Sequence, residues 1–441
     1  MGSELKTTQK YAVLGTCASV TCAAVVALFL GADRILSSSR STISELLAQR
    51  RSRFVRLVLV FLTIASTTVS LAQTPGQQSP PPSYDTKDAA VQFTAPASAP
   101  ASDLVLWYRH PAKQWTEALP VGNGRMGAMV FGGINREILQ LNEATLWPGG
   151  PHDYSNADAL AALPTVRKLV FDGKYKEAED YINTHMMGRP GREMPYQPLG
   201  NVLIDFAQRD VVSGYQRSLD LDTAVASTSF SAGEVAFTRA VFVSPVDQVI
   251  AIRISANKAG QIDCSLRFQT EQKATVHAAA DSLIVSGKNS DLRGVAGALT
   301  FQARVRVVND SGSVAAEGDS LRITAANAIT IYIAAATSYK RYDDVSGDPE
   351  AVVTAAIQAA VSHGYDAVRR RHAAEHQRLF RRVHIDLGKS TAASQLPTDE
   401  RIINFDHGND PQFAALYYQF GRYLLISSSR PGSQASKLQG I

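Results

Sequence analysis

Three short groups of residues have types and spacings that could do chemistry. The first, residues 122–127 (Gly-Asn-Gly-Arg-Met-Gly), matches the G-x-G-x-x-G pattern of dinucleotide-binding turns. In such turns the glycines let a pyrophosphate approach the N-terminus of the following helix. Here residues 128–133 (Ala-Met-Val-Phe-Gly-Gly) have the pattern of an apolar strand followed by a turn. This context favours a glycine-rich β-hairpin over a nucleotide site.

The second group, residues 372–376 (His-Ala-Ala-Glu-His), matches the H-x-x-E-H zinc pattern. On a helix this spacing places two imidazoles and a carboxylate on one face. Six arginines crowd the same segment, at positions 369, 370, 371, 378, 381 and 382. Because their positive field opposes a divalent cation, we predict no metal site but a solvated face of a linker helix. A metallohydrolase is the alternative.

Aromatic and polar residues make up the third group. They are Trp107, Trp115, residues 141–152 (Leu-Asn-Glu-Ala-Thr-Leu-Trp-Pro-Gly-Gly-Pro-His) and residues 196–200 (Tyr-Gln-Pro-Leu-Gly). Aromatic faces stack on the C–H faces of sugar rings while amides and carboxylates bind hydroxyls, so loops that carry both can form a sugar site. Structural turns around a buried tryptophan explain the same composition. The residue types alone favour the turns and leave a sugar site as the alternative.

The elements that must position these groups are mostly strands. Between residues 103 and 340 the chain alternates apolar and polar residues in short segments rich in Val, Ile and Phe. They are residues 235–243, 249–254, 262–268, 299–308, 321–324 and 328–334, separated by clusters of Gly, Asn, Asp or Ser. This pattern predicts a mainly β fold, a large antiparallel β-sandwich. Residues 158–187 keep helical spacing on both sides of Gly173 and predict a helical insertion.

After the sandwich the pattern becomes helical. Residues 348–387 predict a helical linker that begins at Asp348-Pro349, and another helix begins at Asp410-Pro411. That last helix carries an apolar stripe made of Phe413, Leu416, Tyr417, Phe420 and Leu424. One helix cannot bury itself, so the stripe is expected to face solvent or a neighbouring chain. We also expect the sequence to be the front part of a larger protein.

The N-terminal residues predict export. Arg50, Arg51, Arg53 and Arg56 precede an apolar run, and Ser-Leu-Ala at 70–72 suits a signal peptidase, which indicates a signal peptide at about 49–72. We therefore expect a periplasmic or extracellular protein. An earlier apolar run, 11–30, is long enough to span a bilayer. Either the start codon is assigned too far upstream and residues 1–48 are not made, or the run is a membrane anchor; the first is favoured.

Charge and composition exclude some partners. Residues 1–72 hold 8 of the 44 Lys and Arg and 3 of the 40 Asp and Glu, which leaves 36 basic and 37 acidic side chains. The basicity thus belongs to the leader, and we expect no nucleic-acid partner. No stable membrane partner is expected unless residues 11–30 are an anchor. Residues 73–102 are rich in Pro, Ser and Ala and predict a disordered tether.

Several long motifs, taken in order, resemble glycoside hydrolase family 95, the inverting α-L-fucosidases. They are residues 106–108, 119–130, 141–151, 196–200, 379–383, 396–401 and 419–432. The resemblance covers nearly everything from Leu104 to Ile441. It implies a β-sandwich (super-sandwich), a helical linker and, at 396–441, the start of a truncated (α/α)6 barrel that holds the active site.

The resemblance also implies a mechanism and its location. In the family a glutamic acid in the barrel protonates the leaving oxygen, and asparagines polarised by an aspartate activate the water. Those residues follow the motif matched by residues 438–441, so no catalytic residue is assigned in this chain and the fragment is expected to be inactive. No cofactor is implied.

Five residues are predicted to line the pocket from the sandwich side: Asn142, Glu143, Trp147, His152 and Gln197. Packing between domains is the alternative role for each. The expected partner is a fucosylated oligosaccharide or polysaccharide whose terminal α-L-fucosyl linkages are hydrolysed. Two alternatives to the fucosidase remain, a non-catalytic carbohydrate-binding β-sandwich module and an α-L-galactosidase of the same family.

Overall fold

The computed structural model describes residues 84–388, 391–407 and 409–436. The predicted leader, with its signal at 49–72 and the alternative anchor at 11–30, lies outside these residues. Within them, no helix has both the length and the apolar character needed to cross a bilayer.

Seventeen strands are present in the described residues. They are β1 Gln92–Phe93, β2 Val105–Tyr108, β3 Leu119–Gly122, β4 Met126–Val130, β5 Arg136–Glu143, β6 Gly200–Phe206, β7 Val211–Asp220, β8 Val225–Ala232, β9 Val235–Ser244, β10 Val249–Ala256, β11 Ile262–Gln269, β12 Ala274–Ala279, β13 Ser282–Lys288, β14 Thr300–Asp310, β15 Ser313–Glu317, β16 Ser320–Ala326 and β17 Ala328–Thr337. The predicted alternating segments are all strands.

The strands form two sheets that face each other. The ten-stranded sheet has the order β1-β7-β8-β9-β10-β17-β14-β13-β12, with β2 also paired to β7. The seven-stranded sheet has the order β15-β16-β11-β6-β5-β4-β3. Neighbouring strands are antiparallel, except that β1 runs parallel to β7. The predicted β-sandwich is confirmed.

The core between the sheets follows the two-residue period of the strands. Ile329, Ile331 and Ile333 of β17 point into the main core, where they meet inward residues of the second sheet such as Ile204 and Leu266. The residues between them on β17 are also buried, because they pack against the helices described next. A strand covered on both faces is expected to be continuously apolar, as the sequence of β17 is.

Six α-helices occur among the described residues: α1 Ala159–Phe171, α2 Tyr175–His185, α3 Pro349–His363, α4 Tyr365–Phe380, α5 Thr398–Asn404 and α6 Pro411–Ser428. The first two form the predicted insertion between β5 and β6. Capping explains where α3 and α6 begin, since the Asp348 carboxylate accepts from Ala351 N and the Asp410 carboxylate from Phe413 N, each at 3.1 Å.

The prediction of a disordered tether is wrong for residues 84–102. β1 pairs with β7, and Val91 is buried in the core. The Asp88 carboxylate accepts hydrogen bonds from the backbone N–H groups of Ile134 and Asn135 at 2.8 and 2.9 Å. The composition of the segment, which is dominated by Pro, Ser and Ala, suggested disorder. A few side chains that contact the sandwich nevertheless hold the segment in place.

The prediction that the stripe on α6 faces solvent or a neighbouring chain is also wrong for most of the stripe. Leu416 is fully buried, and Phe413, Phe420 and Leu424 pack partly buried against the sandwich core. Of the predicted stripe only Tyr417 is exposed, at 65%. The sandwich and the end of α4 together cover this side of the helix, since Phe380 joins the same core as Leu416 and Tyr423.

The buried side of α6 is rotated from the predicted stripe and includes polar residues. It consists of Gln412, Ala415, Leu416, Gln419, Tyr423 and Ser427. Hydrogen bonds to backbone carbonyls make this burial possible: Gln412 Nε2 donates to Asp103 O at 2.6 Å and Tyr423 Oη donates to Pro120 O at 2.7 Å. An apolar-residue pattern cannot reveal such a face.

The anchoring of the N-terminal segment gives a stability prediction. Asp88→Ala removes the acceptor of two buried N–H groups, and we expect the free energy of unfolding to fall by about 1–3 kcal/mol in urea titrations. Asp85→Ala, at an exposed neighbouring carboxylate, is the control and should change it by less than about 0.5 kcal/mol. Equal effects of the two variants would contradict the anchoring role of Asp88.

Candidate functional site

The turn between β3 and β4, residues 123–125, closes one end of the seven-stranded sheet. Buried Asn123 holds the turn: its Oδ1 accepts from Arg125 N and Met126 N at 3.0 and 2.8 Å, and its Nδ2 donates to Ser244 O at 3.1 Å. Strands β3 and β4 pair directly on either side. The glycine-rich hairpin predicted for residues 122–127 is therefore confirmed.

Glu143, at the end of β5, is fixed within this end of the sandwich. Its Oε1 lies 3.4 Å from Arg125 Nη1, and its Oε2 accepts from the backbone N and Oγ1 of Thr145, both at 2.7 Å. The side chain is 2% exposed. Burial raises the pKa of Glu143, while Arg125 and Thr145 lower it. With both oxygens engaged, this carboxyl group is suited to holding the loop rather than to exchanging protons with a substrate.

Trp147 lies on the loop that leaves β5. Its indole Nε1 donates to Ala144 O at 2.9 Å, and its own carbonyl accepts from Asn289 Nδ2 at 2.6 Å. The ring of Tyr196 meets the indole edge-on with centroids 6.3 Å apart. The pKa of Tyr196 is raised, first by burial and then by the Glu143 charge. The structure thus brings Glu143, Trp147 and the 196–197 loop together.

His152 and Gln197 flank the helical insertion, one before α1 and one after α2. His152 Nδ1 lies 2.7 Å from Gly150 O, so Nδ1 carries the proton and Nε2 is left as an acceptor. His152 Nε2 and Gln197 Oε1 are both buried and have no hydrogen-bond partner among the described residues. Two acceptors of this kind can take hydrogen bonds from hydroxyl groups of a bound sugar.

Asn142 belongs to the sandwich rather than to a loop. It pairs with Gly127 between β4 and β5 and is buried. The sequence reasoning missed Asn289, whose Nδ2 also donates to Gly149 O at 2.6 Å and so ties the Trp147 loop to the loop between β13 and β14. A single amide in a polar turn carries no periodic signal, so the sequence offered no way to select it.

The H-x-x-E-H residues are not a solvated face, and this prediction is wrong. His372 and His376 are buried between α4 and the ten-stranded sheet. His372 Nε2 donates to Thr223 O at 3.0 Å, and His376 Nε2 to Leu221 O at 2.9 Å. Their rings continue a stack from Phe242 to Phe380. In the described part of the chain no three His, Cys, Asp or Glu side chains are grouped to hold a metal.

The neighbouring charges are also used in packing. Glu375 pairs with Arg430, and Asp222 accepts from Arg381 Nε at 2.7 Å. Arg381 therefore joins α4 to the sandwich, and Glu375 joins α4 to the segment that follows α6. Helix α4 thus packs between the sandwich and the end of α6, a position that the sequence pattern alone did not indicate.

Two family models match the chain in the order of these domains. The model described as "Glycosyl hydrolase family 65, N-terminal domain" matches residues 106–342. The model described as "Glycosyl hydrolase family 95 catalytic domain" matches residues 364–441. The first covers the sandwich with its insertion, and the second covers α4, α5 and α6.

Curated relatives are named as fucosidases. "Alpha-L-fucosidase 2" of Arabidopsis thaliana is 34% identical over 372 residues, which cover 77% of this chain and 43% of the relative. "Probable alpha-fucosidase A" of Aspergillus niger is 31% identical, with 74% and 43% covered. "Probable alpha-fucosidase A" of Aspergillus oryzae is 26% identical, with 74% and 47% covered. The chain thus spans just under half the length of these relatives.

The fold, a β-sandwich followed by helices, and the matched domains place this chain among the glycoside hydrolases. The chain belongs to the glycoside hydrolases that carry this N-terminal domain, and the resemblance to family 95 over its N-terminal portion is confirmed.

The role of Glu143 can be tested through stability. Glu143→Gln keeps the shape but leaves Arg125 without its charge partner, and we expect unfolding to become easier by about 1–3 kcal/mol. Glu271→Gln, at an exposed glutamate, is the control and should have almost no effect. Urea unfolding at neutral pH measures both. An unchanged Glu143→Gln variant would mean that the pair with Arg125 does not stabilise the loop.

The buried histidines predict acid sensitivity. Burial lowers the pKa of His372 to about 3 and that of His376 to about 4, although the backbone carbonyls oppose the shift. The unfolded chain therefore binds more protons below about pH 6.5, so stability is present above that pH and is lost as the pH falls towards 4. Arg430, Glu375 and Asp222 also act on His376.

His376→Gln removes one titrating group but keeps a donor for the Leu221 carbonyl. We expect this variant to lose about 2 kcal/mol less stability than the unaltered chain between pH 7 and pH 5. Urea unfolding at both pH values measures the difference. His384→Gln, at an exposed histidine, is the control and should lose as much as the unaltered chain. Equal losses in all three proteins would contradict the linkage.

Proposed function

We propose that this chain supplies the N-terminal sandwich and the start of the catalytic domain of an exported α-L-fucosidase. The enzyme hydrolyses terminal α-L-fucosyl linkages of oligosaccharides or polysaccharides by single displacement with inversion. The main support is the order of the matched domains, since a glycoside hydrolase sandwich is followed by the family 95 catalytic match. Relatives named as fucosidases support the choice of sugar.

The sandwich contributes one wall of the sugar pocket in this proposal. Trp147 supplies an apolar ring surface beside Tyr196, while His152 Nε2 and Gln197 Oε1 are acceptors without partners among the described residues. This combination suits a sugar ring, which has C–H faces for stacking and hydroxyls for hydrogen bonding. Asn142 and Glu143 are both buried, so in this proposal they support the residues of the wall and do not contact the sugar.

The catalytic acid and base are proposed to lie outside the residues of this chain. Glu143 is the carboxylate of the proposed wall, and both its oxygens are engaged by Arg125 and Thr145. A general acid must instead reach the leaving oxygen of the substrate. Export rests on the arginines and apolar run at about 49–72.

A carbohydrate-binding module without chemistry is the second candidate. The unpartnered acceptors His152 Nε2 and Gln197 Oε1 favour it, because the sandwich alone carries them. Titration of L-fucose into the 441-residue chain, followed by NMR, separates the two. Binding that needs no further protein segment supports the module, whereas no binding by the folded chain supports a pocket completed elsewhere.

Hydrolysis is tested by transplanting the matched segment. A chimera in which residues 104–441 replace the corresponding part of the Arabidopsis thaliana relative is expected to release nitrophenol from a nitrophenyl α-L-fucoside. In that chimera Trp147→Ala should raise KM by roughly tenfold, since ring stacking is worth about 1 kcal/mol or more. Trp115→Ala, at a tryptophan 44% exposed in a short 3-10 helix, is the control.

Two results would count against the proposal. A folded chimera that cleaves no α-L-fucoside would remove the fucosidase assignment for this chain. A chimera that is active and indifferent to Trp147→Ala would keep the activity but remove Trp147 from the sugar pocket.

A further inference from the structure

The glycine-rich motif at residues 122–127 binds no nucleotide, yet its turn meets a second part of the chain. The last two residues of α6 and the segment that follows them, residues 427–433, are here named the α6 exit loop. This loop lies directly on the β3–β4 turn. Gly124 N donates to Ser427 O at 2.7 Å. This hydrogen bond joins the sandwich to the region matched by the family 95 catalytic domain.

The contact at Gly124 leaves little room for a side chain. Its φ is +87°, which is in the left-handed region that favours glycine. A Cβ atom there would lie 3.0 Å from Arg430 Cγ, Arg430 N and Ser433 Oγ. Other glycines of the chain with positive φ, such as Gly233 with φ +57°, have nothing within 4 Å of a Cβ. The glycine at 124 is thus required both by the turn and by what lies against it.

The α6 exit loop is ordered on its own side by a small network. Arg430 N donates to Ser433 Oγ at 2.8 Å, and Ser433 N donates to Arg430 O at 2.9 Å. The Arg430 side chain is 7% exposed and pairs with Glu375 of α4. The loop is therefore held between α4 and the β3–β4 turn.

A second anchor lies one turn earlier on α6. Tyr423 is fully buried and its Oη donates to Pro120 O of β3 at 2.7 Å. Beneath the turn, Arg125 Nε donates to Gln248 Oε1 at 2.9 Å, and Arg125 Nη1 pairs with Glu143. A continuous set of contacts thus runs from Glu143, in the proposed sugar wall, through Arg125 and Gly124 to the α6 exit loop.

We infer that the β3–β4 turn positions the α6 exit loop, so that Gly124 is a positioning residue for the chemistry of the catalytic domain. The inference rests on the proposed function only for its effect on catalysis. A displaced α6 exit loop would shift the residues that follow it relative to the proposed wall of the sugar pocket. Because reactive groups must be held to within fractions of an ångström, such a shift lowers kcat more than it weakens binding.

The first test uses the 441-residue chain and hydrogen exchange measured by mass spectrometry. Gly124→Ala is expected to speed exchange in peptides from the α6 exit loop by roughly tenfold or more, while peptides of β17 stay protected. Gly233→Ala also places a side chain at a positive φ, but with no neighbour within 4 Å, and is the control, expected to leave the loop unchanged. Unchanged loop exchange in folded Gly124→Ala protein would overturn the inference.

A milder variant covers the case in which Gly124→Ala fails to fold. Tyr423→Phe keeps the buried ring and removes the hydroxyl that donates to the Pro120 carbonyl. We expect it to speed exchange in the α6 exit loop in the same direction but by a smaller factor. Loop protection equal to that of the unaltered chain would count against the positioning role of this surface.

The second test measures catalysis in the chimera. Gly124→Ala should lower kcat by roughly tenfold to a hundredfold with KM changed less than about twofold, and Gly233→Ala should change neither. A rise in KM with kcat unchanged would contradict positioning. If the unaltered chimera cleaves no fucoside, the proposed function fails, and the exchange experiment alone decides whether the turn positions the loop.

Discussion

The outer face of the ten-stranded sheet carries apolar side chains whose burial is favourable. Covering this face determines where α3 and α4 lie after β17. Phe242 and Tyr332 point outwards from the sheet, and Val353, Ile357 and Val368 of α3 and α4 pack on them. Full burial of such side chains is worth roughly 1.5–3 kcal/mol each, which is large against the stability of a whole domain. The helices that follow the sandwich are therefore packed against its outer face.

Once α4 is fixed on the sheet, the position of α6 follows. Phe380 at the end of α4 joins the same core as Leu416 and Tyr423 of α6. Arg430 and Glu375 extend this contact beyond the end of α6. The region matched by the family 95 catalytic domain thus begins with a helix, α4, that packs on the sandwich. In the proposed function, the placement of the sugar pocket would therefore depend on how α4 and α6 pack on the sandwich.

Much of this could be predicted from the sequence, and the exceptions share a cause. The two-residue period of segments such as 249–254 identified the strands, and the Asp-Pro pairs at 348 and 410 identified where helices begin. The failures concern polar residues that are buried because their partners come from distant parts of the chain. Asp88, His376 and Gln419 all hydrogen-bond to backbone groups more than 30 residues away, and local patterns hold no trace of such contacts.

The candidate site divides in the same way. Trp147 and Glu143 were found through residue type and resemblance, and the structure places them in one region with Tyr196. Their supports, Asn289 and Arg125, could not be selected because their roles depend on how loops from both sheets converge. That His152 Nε2 is buried without a hydrogen-bond partner among the described residues is likewise a property of the folded chain.

The measurement that tests the account most directly is proton NMR of the first sugar released from an α-L-fucoside by the active chimera. A single displacement with inversion predicts that β-L-fucose forms first and then mutarotates towards equilibrium. Initial release of α-L-fucose would contradict the inverting mechanism, and release of a different sugar from a mixed glycan would contradict the assignment of these residues to a fucosidase.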